Sequence, residues 1–179
     1  MLKIITNYSE LDERQVMDIY SESNLDNTSY FYPDECDKKK ALQLVERDFL
    51  KYIRDEFLSK EGNSYCVYDQ DGRWVSALRL YRLGEAFCYI EALETRPDCR
   101  RKGYGAALLK ETADYFARQG NVRICDCVSK KNIASLRTHE KCGFQIVSEQ
   151  GYDYLQGEAN DGDYGMEYSS GETKVAFMR

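Results

Sequence analysis

Hydrophobic positions in the N-terminal third of the sequence follow helical spacing. Between Lys38 and Ser59, apolar residues recur every three or four positions, which predicts an amphipathic helix with one buried face. A shorter helix is predicted from about Leu11 to Tyr20, with Ser9 as its N-cap. The polar stretch 22–36 lacks this spacing and is interpreted as a loop.

From residue 64 onward, the helical period ends and short segments typical of strands follow. Three consecutive strands separated by short turns predict an antiparallel meander, over Ser64–Tyr68, Trp74–Arg82 and Phe87–Thr95. Arg96-Pro97 ends the meander, because proline donates no ladder hydrogen bond.

Helices and strands alternate in the second half. The predicted elements are a helix over Tyr104–Gln119, a strand over Val122–Val128, a helix over Asn132–Lys141, a strand from Phe144 to Ser148, an acidic loop over 149–172 and a last strand over Thr173–Met178. The strands on either side of the first of these helices should be parallel neighbours. The fold class is therefore α/β with a mixed sheet (α+β), and we expect one domain over residues 1–179.

Composition limits the partners. The 179 residues include 25 Lys and Arg against 31 Asp and Glu, so the net charge of −6 argues against general nucleic-acid binding. The start, Met1 to Ile5, is too short for the apolar core of a signal peptide. Since no apolar run approaches the ~20 residues that span a bilayer, we expect a cytoplasmic protein without a membrane partner.

The cysteines and the histidine argue against a metal site. The 7 Cys are scattered, odd in number and without CxxC spacing, and His139 is the single histidine. Cys125 and Cys127 would share one strand face, and we interpret them as small buried thiols.

The turn after the third meander strand carries the clearest chemistry. Three consecutive cations, Arg100 to Lys102, precede Gly103 and Gly105 at the point where a helix begins. Amide groups at a helix N-terminus, the helix dipole and nearby cations together suit a pyrophosphate. An ordinary strand-to-helix turn with solvated charges is the alternative. Neither a Walker loop nor a full GxGxxG is present, which disfavours the common nucleotide folds.

Two segments resemble the GNAT superfamily of N-acetyltransferases. The pattern Arg100-x-x-Gly103-x-Gly105, preceded by a strand, resembles that family's acyl-CoA pyrophosphate loop. Residues 132–144 resemble its N-x-x-[AS]…[YH]-E-K-x-G-F segment. The resemblance, which covers roughly Ser64 to Ser148, implies acetyl-CoA as cosubstrate without a metal. It also implies an antiparallel meander followed by a parallel strand pair splayed around the acyl-CoA site, with helices on both faces.

The resemblance further implies which residues hold acyl-CoA. The backbone of Glu94 and Thr95 would pair with the pantetheine arm, and Asn132, with Ser135 nearby, would contact the same arm. Asn132 also suits a helix N-cap, and the two roles are compatible. The pyrophosphate would be held by Arg100, Arg101, Lys102, Gly103, Tyr104, Gly105 and Ala106.

Acyl transfer to an amine needs a base for the amine proton and stabilisation of the leaving thiolate. His139 stands where many family members have a Tyr acid, and its ordinary pKa of ~6.5 suits acid or base work. Glu91 is the first candidate base and Asp126 the second, because each is a carboxylate within an apolar strand. A packed histidine and salt-bridged carboxylates are the alternatives. If His139 is inert, the substitutes are Tyr152, Tyr154, Tyr164 and Tyr168.

These features predict an acetyl-CoA-dependent N-acetyltransferase, monomeric or homodimeric, that acts on a primary amine of a small molecule or peptide. The amine should meet Tyr30–Pro33, the strand Trp74–Arg82 and the tail segment Gly151–Tyr168, whose carboxylates would favour a cationic substrate. Two alternatives stay open: a non-catalytic acyl-CoA-binding sensor of the same fold, and a nucleotide-binding regulatory domain.

Overall fold

The computed structural model describes residues 1–171. The helices are α1 (Glu13–Ile19), α2 (Ser21–Phe31), α3 (Lys38–Tyr52), α4 (Tyr104–Ala117) and α5 (Ile133–Lys141). The strands are β1 (Leu2–Ile5), β2 (Ser64–Gln70), β3 (Arg73–Arg82), β4 (Phe87–Thr95), β5 (Arg123–Ser129), β6 (Gln145–Ser148), β7 (Gly151–Asp153), β8 (Glu158–Asn160) and β9 (Asp163–Ser169). The strand predicted over Thr173–Met178 lies outside the described residues. Within residues 1–171, no helix combines the length and apolar character needed to cross a membrane.

Seven strands form one mixed sheet in the order β1-β2-β3-β4-β5-β9-β6, and β7 pairs with β8 in a separate hairpin. The strands β2, β3 and β4 are neighbours in chain order, as expected of a meander. The predicted parallel pair is confirmed: β4 and β5 pair in parallel from Phe87 with Arg123 to Tyr89 with Cys125. Both strands continue beyond this paired stretch.

The chain divides into two compact units, each assembled from separate stretches. Unit 1 comprises Met1–Arg79 and Ala92–Leu108. Unit 2 comprises Leu80–Glu91 and the described residues from Leu109 onward.

The core of unit 1 forms where the amphipathic α3 buries its apolar face. Ala41 and Val45 on that face are buried, and Ile53 and Phe57 extend the buried stripe through a π-helical turn. The helix begins at Lys38 because the Asp37 side chain accepts hydrogen bonds from the first-turn amides. The predicted helix over Lys38–Ser59 is thus confirmed in position, although its last turn is not α-helical.

The core of unit 2 includes buried residues of α4 and of the strands β5 and β9. Leu109 and Ala113 on α4 are buried at helical spacing, and Ile124 and Met166 are fully buried on the two strands. The strand β9 pairs antiparallel with β5 along its length, from Arg123 with Ser169 to Ser129 with Asp163.

The N-terminal region differs from the sequence prediction. Asp12, not Ser9, caps α1, because the Asp12 carboxylate accepts from the Gln15 amide at 3.1 Å. The segment 22–36 is not a loop, since most of it lies in α2. Because this helix is rich in polar residues with weak helix propensity, its sequence does not show a helical pattern. Two of them, Asn24 and Thr28, are buried one helical turn apart, so packing stabilises it.

The tail also differs from its prediction. The acidic segment 149–172 is not one loop, because it contains β7, β8 and β9. Its Tyr-rich portion from Asp163 to Ser169 suits a strand, and β9 lies between β5 and β6 in the sheet. The N-terminal strand β1, which pairs antiparallel with β2, was not predicted.

Candidate active site

The end of β4 in unit 1 has an irregular backbone. Ala92 has a φ of 53°, in the left-handed region that non-glycine residues enter only at an energetic cost. The hydroxyl of Tyr20 donates to the Ala92 carbonyl at 2.7 Å and supports this conformation. The side-chain alternation of β4 is therefore interrupted at Ala92.

The backbone of Glu94 and Thr95, expected to pair with an acyl-CoA arm, already has partners. The Ser76 hydroxyl donates to the Glu94 carbonyl at 2.5 Å. The Arg100 Nε donates to the Thr95 carbonyl at 3.2 Å. Each carbonyl oxygen has two lone pairs, so an added partner would share these atoms.

The loop from β4 into α4 contains two residues in the left-handed region. Arg101 and Gly103 have φ values of 61° and 85°, which turn successive amides away from regular structure. At the start of α4, the Ala107 amide donates to the Gly103 carbonyl at 2.9 Å. A Cβ at Gly103 would meet nothing within 4 Å, whereas one at Gly105 would lie 3.1 Å from Thr95 Oγ1.

Two of the three loop cations are held by other residues of unit 1. The Arg100 guanidinium donates to the Glu22 carboxylate at 2.5 Å. The Lys102 ammonium donates to the Asp98 carbonyl at 3.2 Å. Arg101 is exposed.

In unit 2, Asp126 on β5 and His139 on α5 form a buried pair. His139 is 1% exposed, and its Nε2 lies 2.8 Å from Asp126 Oδ2. Its Nδ1 lies 2.8 Å from the carbonyl oxygen of Ser135, one turn earlier in α5. Because both ring nitrogens face acceptor oxygens, Nδ1 carries a proton and a second proton lies between Nε2 and Asp126.

The pKa values of this pair agree with that proton count. Burial raises the pKa of Asp126, against the opposing effect of the hydrogen bond from His139. Burial lowers the pKa of His139, but the hydrogen bond and charge of Asp126 and the Ser135 carbonyl outweigh it and raise the pKa overall. The pair therefore retains its shared proton and carries no net charge.

The candidate base Glu91 also lies in unit 2. Glu91 is half-buried, and Tyr81 donates its hydroxyl proton to Glu91 Oε2 at 3.0 Å. Burial is the main cause of the raised pKa of Asp126, and the negative charge of Glu91 raises it further. The structure thus places all three predicted catalytic residues, Glu91, Asp126 and His139, within one unit.

Asn132 is the N-cap of α5, as one of its two predicted roles requires. Its Oδ1 accepts from the Ser135 amide at 3.0 Å. Asn132 is exposed, so this cap leaves its side-chain amide group on the surface.

The remaining predicted side chains differ in environment. Tyr154 packs against Phe87 and Tyr89, and burial raises its pKa. Burial raises the pKa of the Cys125 thiol to about 12, which makes it an inert packing group. In residues 1–171, no cluster of three or more His, Cys, Asp or Glu side chains could hold a metal ion.

The sequence did not reveal a cavity of about 520 Å³ within unit 1. Its walls come from α2, α3, β3 and β4. The sequence pattern predicts a loop in place of α2, so it gives no indication of this cavity. Phe31 and Tyr32, within the segment expected to meet substrate, line this cavity, as does Arg79 on β3.

Comparison with known proteins identifies the class. Residues 16–144, more than half of the chain, match the acetyltransferase (GNAT) family. The chain therefore belongs to the acetyltransferase (GNAT) family and is an N-acetyltransferase by class. No curated protein matches the sequence significantly.

Solved structures share the fold at low sequence identity. The PaiA N-acetyltransferase from Thermoplasma acidophilum, in complex with coenzyme A, superposes with a TM-score of 0.61 at 16% identity, over 93% of this chain and 98% of its own. The ribosomal-protein-S18-alanine N-acetyltransferase from Escherichia coli gives 0.58 at 17% identity, over 98% of each chain. A phosphinothricin acetyltransferase from Sinorhizobium meliloti, in complex with AcCoA, gives 0.60 at 17% identity, over 98% of this chain and 91% of its own.

Proposed function

We propose that this protein transfers the acetyl group of acetyl-CoA to a primary amine of a small molecule or peptide. The observation that carries the proposal is the turn from β4 into α4, where Arg101 and Gly103 adopt left-handed conformations in a member of the GNAT family. Two solved structures of the same fold contain coenzyme A or AcCoA.

The residues of the loop fit the diphosphate of coenzyme A. The open space beside Gly103 leaves room for phosphate oxygens, and the first-turn amides of α4 are donors for them. The groups that would hold the diphosphate are the backbone of 101–106 and the side chains of Arg100 and Arg101. The pantetheine arm would contact the backbone of Glu94 and Thr95 and the side chains of Asn132 and Ser135.

Acetyl-CoA supplies an acetyl group activated as a thioester. Its transfer to an amine would form a C–N bond, break the C–S bond and release a thiolate, which takes a proton from solvent to become the thiol. We propose that Glu91 accepts the proton that the amine loses. The Tyr81 hydroxyl holds the Glu91 carboxylate in place. General-base assistance of this kind typically contributes about 100-fold or more to the rate.

For Asp126 and His139 we propose a structural role. Both ring nitrogens of His139 are engaged and the ring is buried, so donating a proton to a leaving thiolate would require the pair to separate. The pair instead joins α5 to β5 and adds no net charge near Glu91.

The direct test is an acetyl-transfer assay that detects released thiol from acetyl-CoA across a panel of primary amines. We expect thiol release that depends on an amine, with the acetylated amine identified by mass spectrometry. Binding of acetyl-CoA without turnover on any amine of the panel would contradict the proposal and support an acyl-CoA sensor.

A binding test isolates the loop. We expect Gly103→Glu to weaken acetyl-CoA binding at least about tenfold in calorimetry, because it places a carboxylate where phosphates would lie. Gly72→Glu is a matched control: Gly72 has the same φ of 85° and the same open space around its Cβ position, but lies in the β2–β3 turn. Equal loss of affinity in both variants would contradict the loop assignment.

A further inference from the structure

The cavity in unit 1 is distinct from the proposed diphosphate loop. It measures about 520 Å³, within the range of small-molecule sites. Ala92 and Glu94 of β4 contribute to its lining, while the described loop residues 96–106 do not. Its remaining walls come from α2, α3 and β3.

Five aromatic side chains line the cavity: Tyr20, Phe31, Tyr32, Phe49 and Tyr52. Tyr20 and Phe49 contact each other with ring centroids 5.2 Å apart, and Tyr52 lies one turn after Phe49 on α3. At the end of α2, Phe31 lines the cavity while 60% of its surface stays exposed. A flat or bulky apolar group would bury these faces.

A guanidinium is fixed at one side of the cavity. The Arg79 guanidinium lies over the rings of Phe49 and Tyr52, 5.6 and 5.5 Å from their centroids. These cation–π contacts restrict its orientation. A guanidinium carries five N–H donors in its plane, a geometry that matches a carboxylate, so Arg79 can bind one while keeping its other contacts.

A carboxylate lines the same cavity on the neighbouring strand. Glu94 is half-buried on β4, and burial raises its pKa, while the charges of Arg100 and Arg79 oppose that shift. The other lining carboxylate, Asp48, is exposed and forms an ion pair with Arg47 at 2.8 Å. The cavity therefore presents one positive and one negative group, from adjacent strands, within aromatic walls.

We propose that this cavity binds a zwitterionic amino acid with an aromatic or large apolar side chain. Its carboxylate would bind Arg79, its ammonium group would bind Glu94, and its side chain would pack against Phe31, Phe49 and Tyr52. A polyamine fits this cavity less well, because it lacks a carboxylate and would bring several positive charges near Arg79. That the bound amino acid is the acetyl acceptor rests on the proposed function.

The first experiment removes one feature of the ligand at a time. Calorimetry would compare L-phenylalanine with 2-phenylethylamine, 3-phenylpropanoate, glycine and spermidine, each without and with saturating coenzyme A, so that ordered binding is also detected. We expect L-phenylalanine to bind at least about tenfold more tightly than every other probe. The probes 2-phenylethylamine, 3-phenylpropanoate and spermidine each lose a charge-assisted hydrogen bond, which contributes that much, and glycine loses the burial of the aromatic ring. Equal affinity for 2-phenylethylamine or spermidine would overturn the proposal.

The second experiment removes the matching protein group. Arg79→Gln should lower the affinity for L-phenylalanine about tenfold and leave that for 2-phenylethylamine unchanged. Glu94→Gln should do the same for L-phenylalanine and leave that for 3-phenylpropanoate unchanged. If Arg79→Gln does not fold, Arg79→Lys, which retains the charge and loses the planar donors, should still lower affinity severalfold. An unchanged affinity for L-phenylalanine in the folded variants would overturn the assignment.

A matched pair of aromatic residues tests the apolar wall. Phe31→Ala should weaken L-phenylalanine binding severalfold, because Phe31 lines the cavity. Tyr30→Ala is the control: Tyr30 is 81% exposed and contacts Phe31 edge to face at 5.0 Å, but does not line the cavity. An equal effect of both substitutions would contradict the proposed position of the side chain.

These outcomes separate the two proposals. Binding of L-phenylalanine without any acetyl transfer would support the ligand class and contradict the proposed function. Acetyl transfer to other amines, unaffected by Arg79→Gln and Phe31→Ala, would support the proposed function and overturn the ligand class.

Discussion

At the scale of single residues, the pair of Asp126 and His139 should make the stability of unit 2 depend on pH. The buried pair of Asp126 and His139 holds one shared proton, and the folded-state pKa values of both groups are raised. A raised pKa means that the folded protein binds the proton more tightly than the unfolded chain does. For His139 the stabilisation is therefore complete below its unfolded value of about 6.5 and is lost as pH rises through the folded value, whereas the change due to Asp126 begins lower, at its unfolded value of 3.8.

Replacement of Asp126 tests whether this stabilisation decreases as pH rises. Asp126→Asn should lower the free energy of unfolding by about 1–3 kcal/mol at pH 6, and the difference from the wild type should shrink as pH rises to 8. Urea denaturation at several pH values measures it. The exposed Asp34→Asn is the control and should track the wild type at each pH. A pH-independent difference for Asp126→Asn would contradict the shared proton.

Substitution of Glu91 should affect catalysis, whereas substitution of His139 should affect stability. Glu91→Gln should lower kcat about 100-fold or more while leaving acetyl-CoA affinity unchanged. His139→Gln should lower the free energy of unfolding but preserve most of kcat per folded molecule, since the imidazole is buried. Steady-state kinetics with urea denaturation of both variants separates the roles. A large loss of kcat in a fully folded His139→Gln protein would show that His139 acts directly.

At the scale of elements, helix ends connect stability to ligand binding. Asn132 precedes α5 as its N-cap, and its Oδ1 accepts from the Ser135 amide. The same side chain is proposed to contact the pantetheine arm through its amide group. The two roles use different atoms, so substitution can separate them.

We expect Asn132→Ala to destabilise the protein by about 1 kcal/mol through loss of the cap. Asn132→Asp should keep the cap, and with it the free energy of unfolding, but lower acetyl-CoA affinity severalfold because a donor is lost. Thermal unfolding and calorimetry measure the two effects. If Asn132→Asp binds acetyl-CoA with wild-type affinity, Asn132 acts only as the N-cap of α5.

Another element, α2, shows why local sequence was insufficient. Its Ser, Asn, Asp and Thr residues have weak helix propensity, so the pattern indicated a loop. In the folded chain Asn24 and Thr28 are buried one turn apart on this helix, and Thr28 Oγ1 donates to the Leu25 carbonyl at 2.7 Å, which satisfies the buried hydroxyl. Such tertiary packing cannot be inferred from the spacing of hydrophobic residues.

At the scale of the whole molecule, binding of acetyl-CoA should raise the free energy of unfolding. Acetyl-CoA at about 100 times its Kd should add about 2.7 kcal/mol to the free energy of unfolding and raise Tm by roughly 5–10 °C. Differential scanning fluorimetry measures this shift. Gly103→Glu should lose most of it and Gly72→Glu should retain it. A shift of equal size in both variants would contradict binding at the β4–α4 loop.

The sequence by itself determined the order of β2, β3, β4, α4 and β5, because their hydrophobic periodicity is strong and their boundaries carry Pro or Gly. It also located the loop before α4, since three cations and two glycines are adjacent in the chain. Three features depend on tertiary structure: the left-handed Ala92, the pairing of Asp126 with His139, and the cavity beside α2. Each depends on side chains distant in sequence, such as Tyr20 bonded to Ala92, which only packing brings within hydrogen-bond distance.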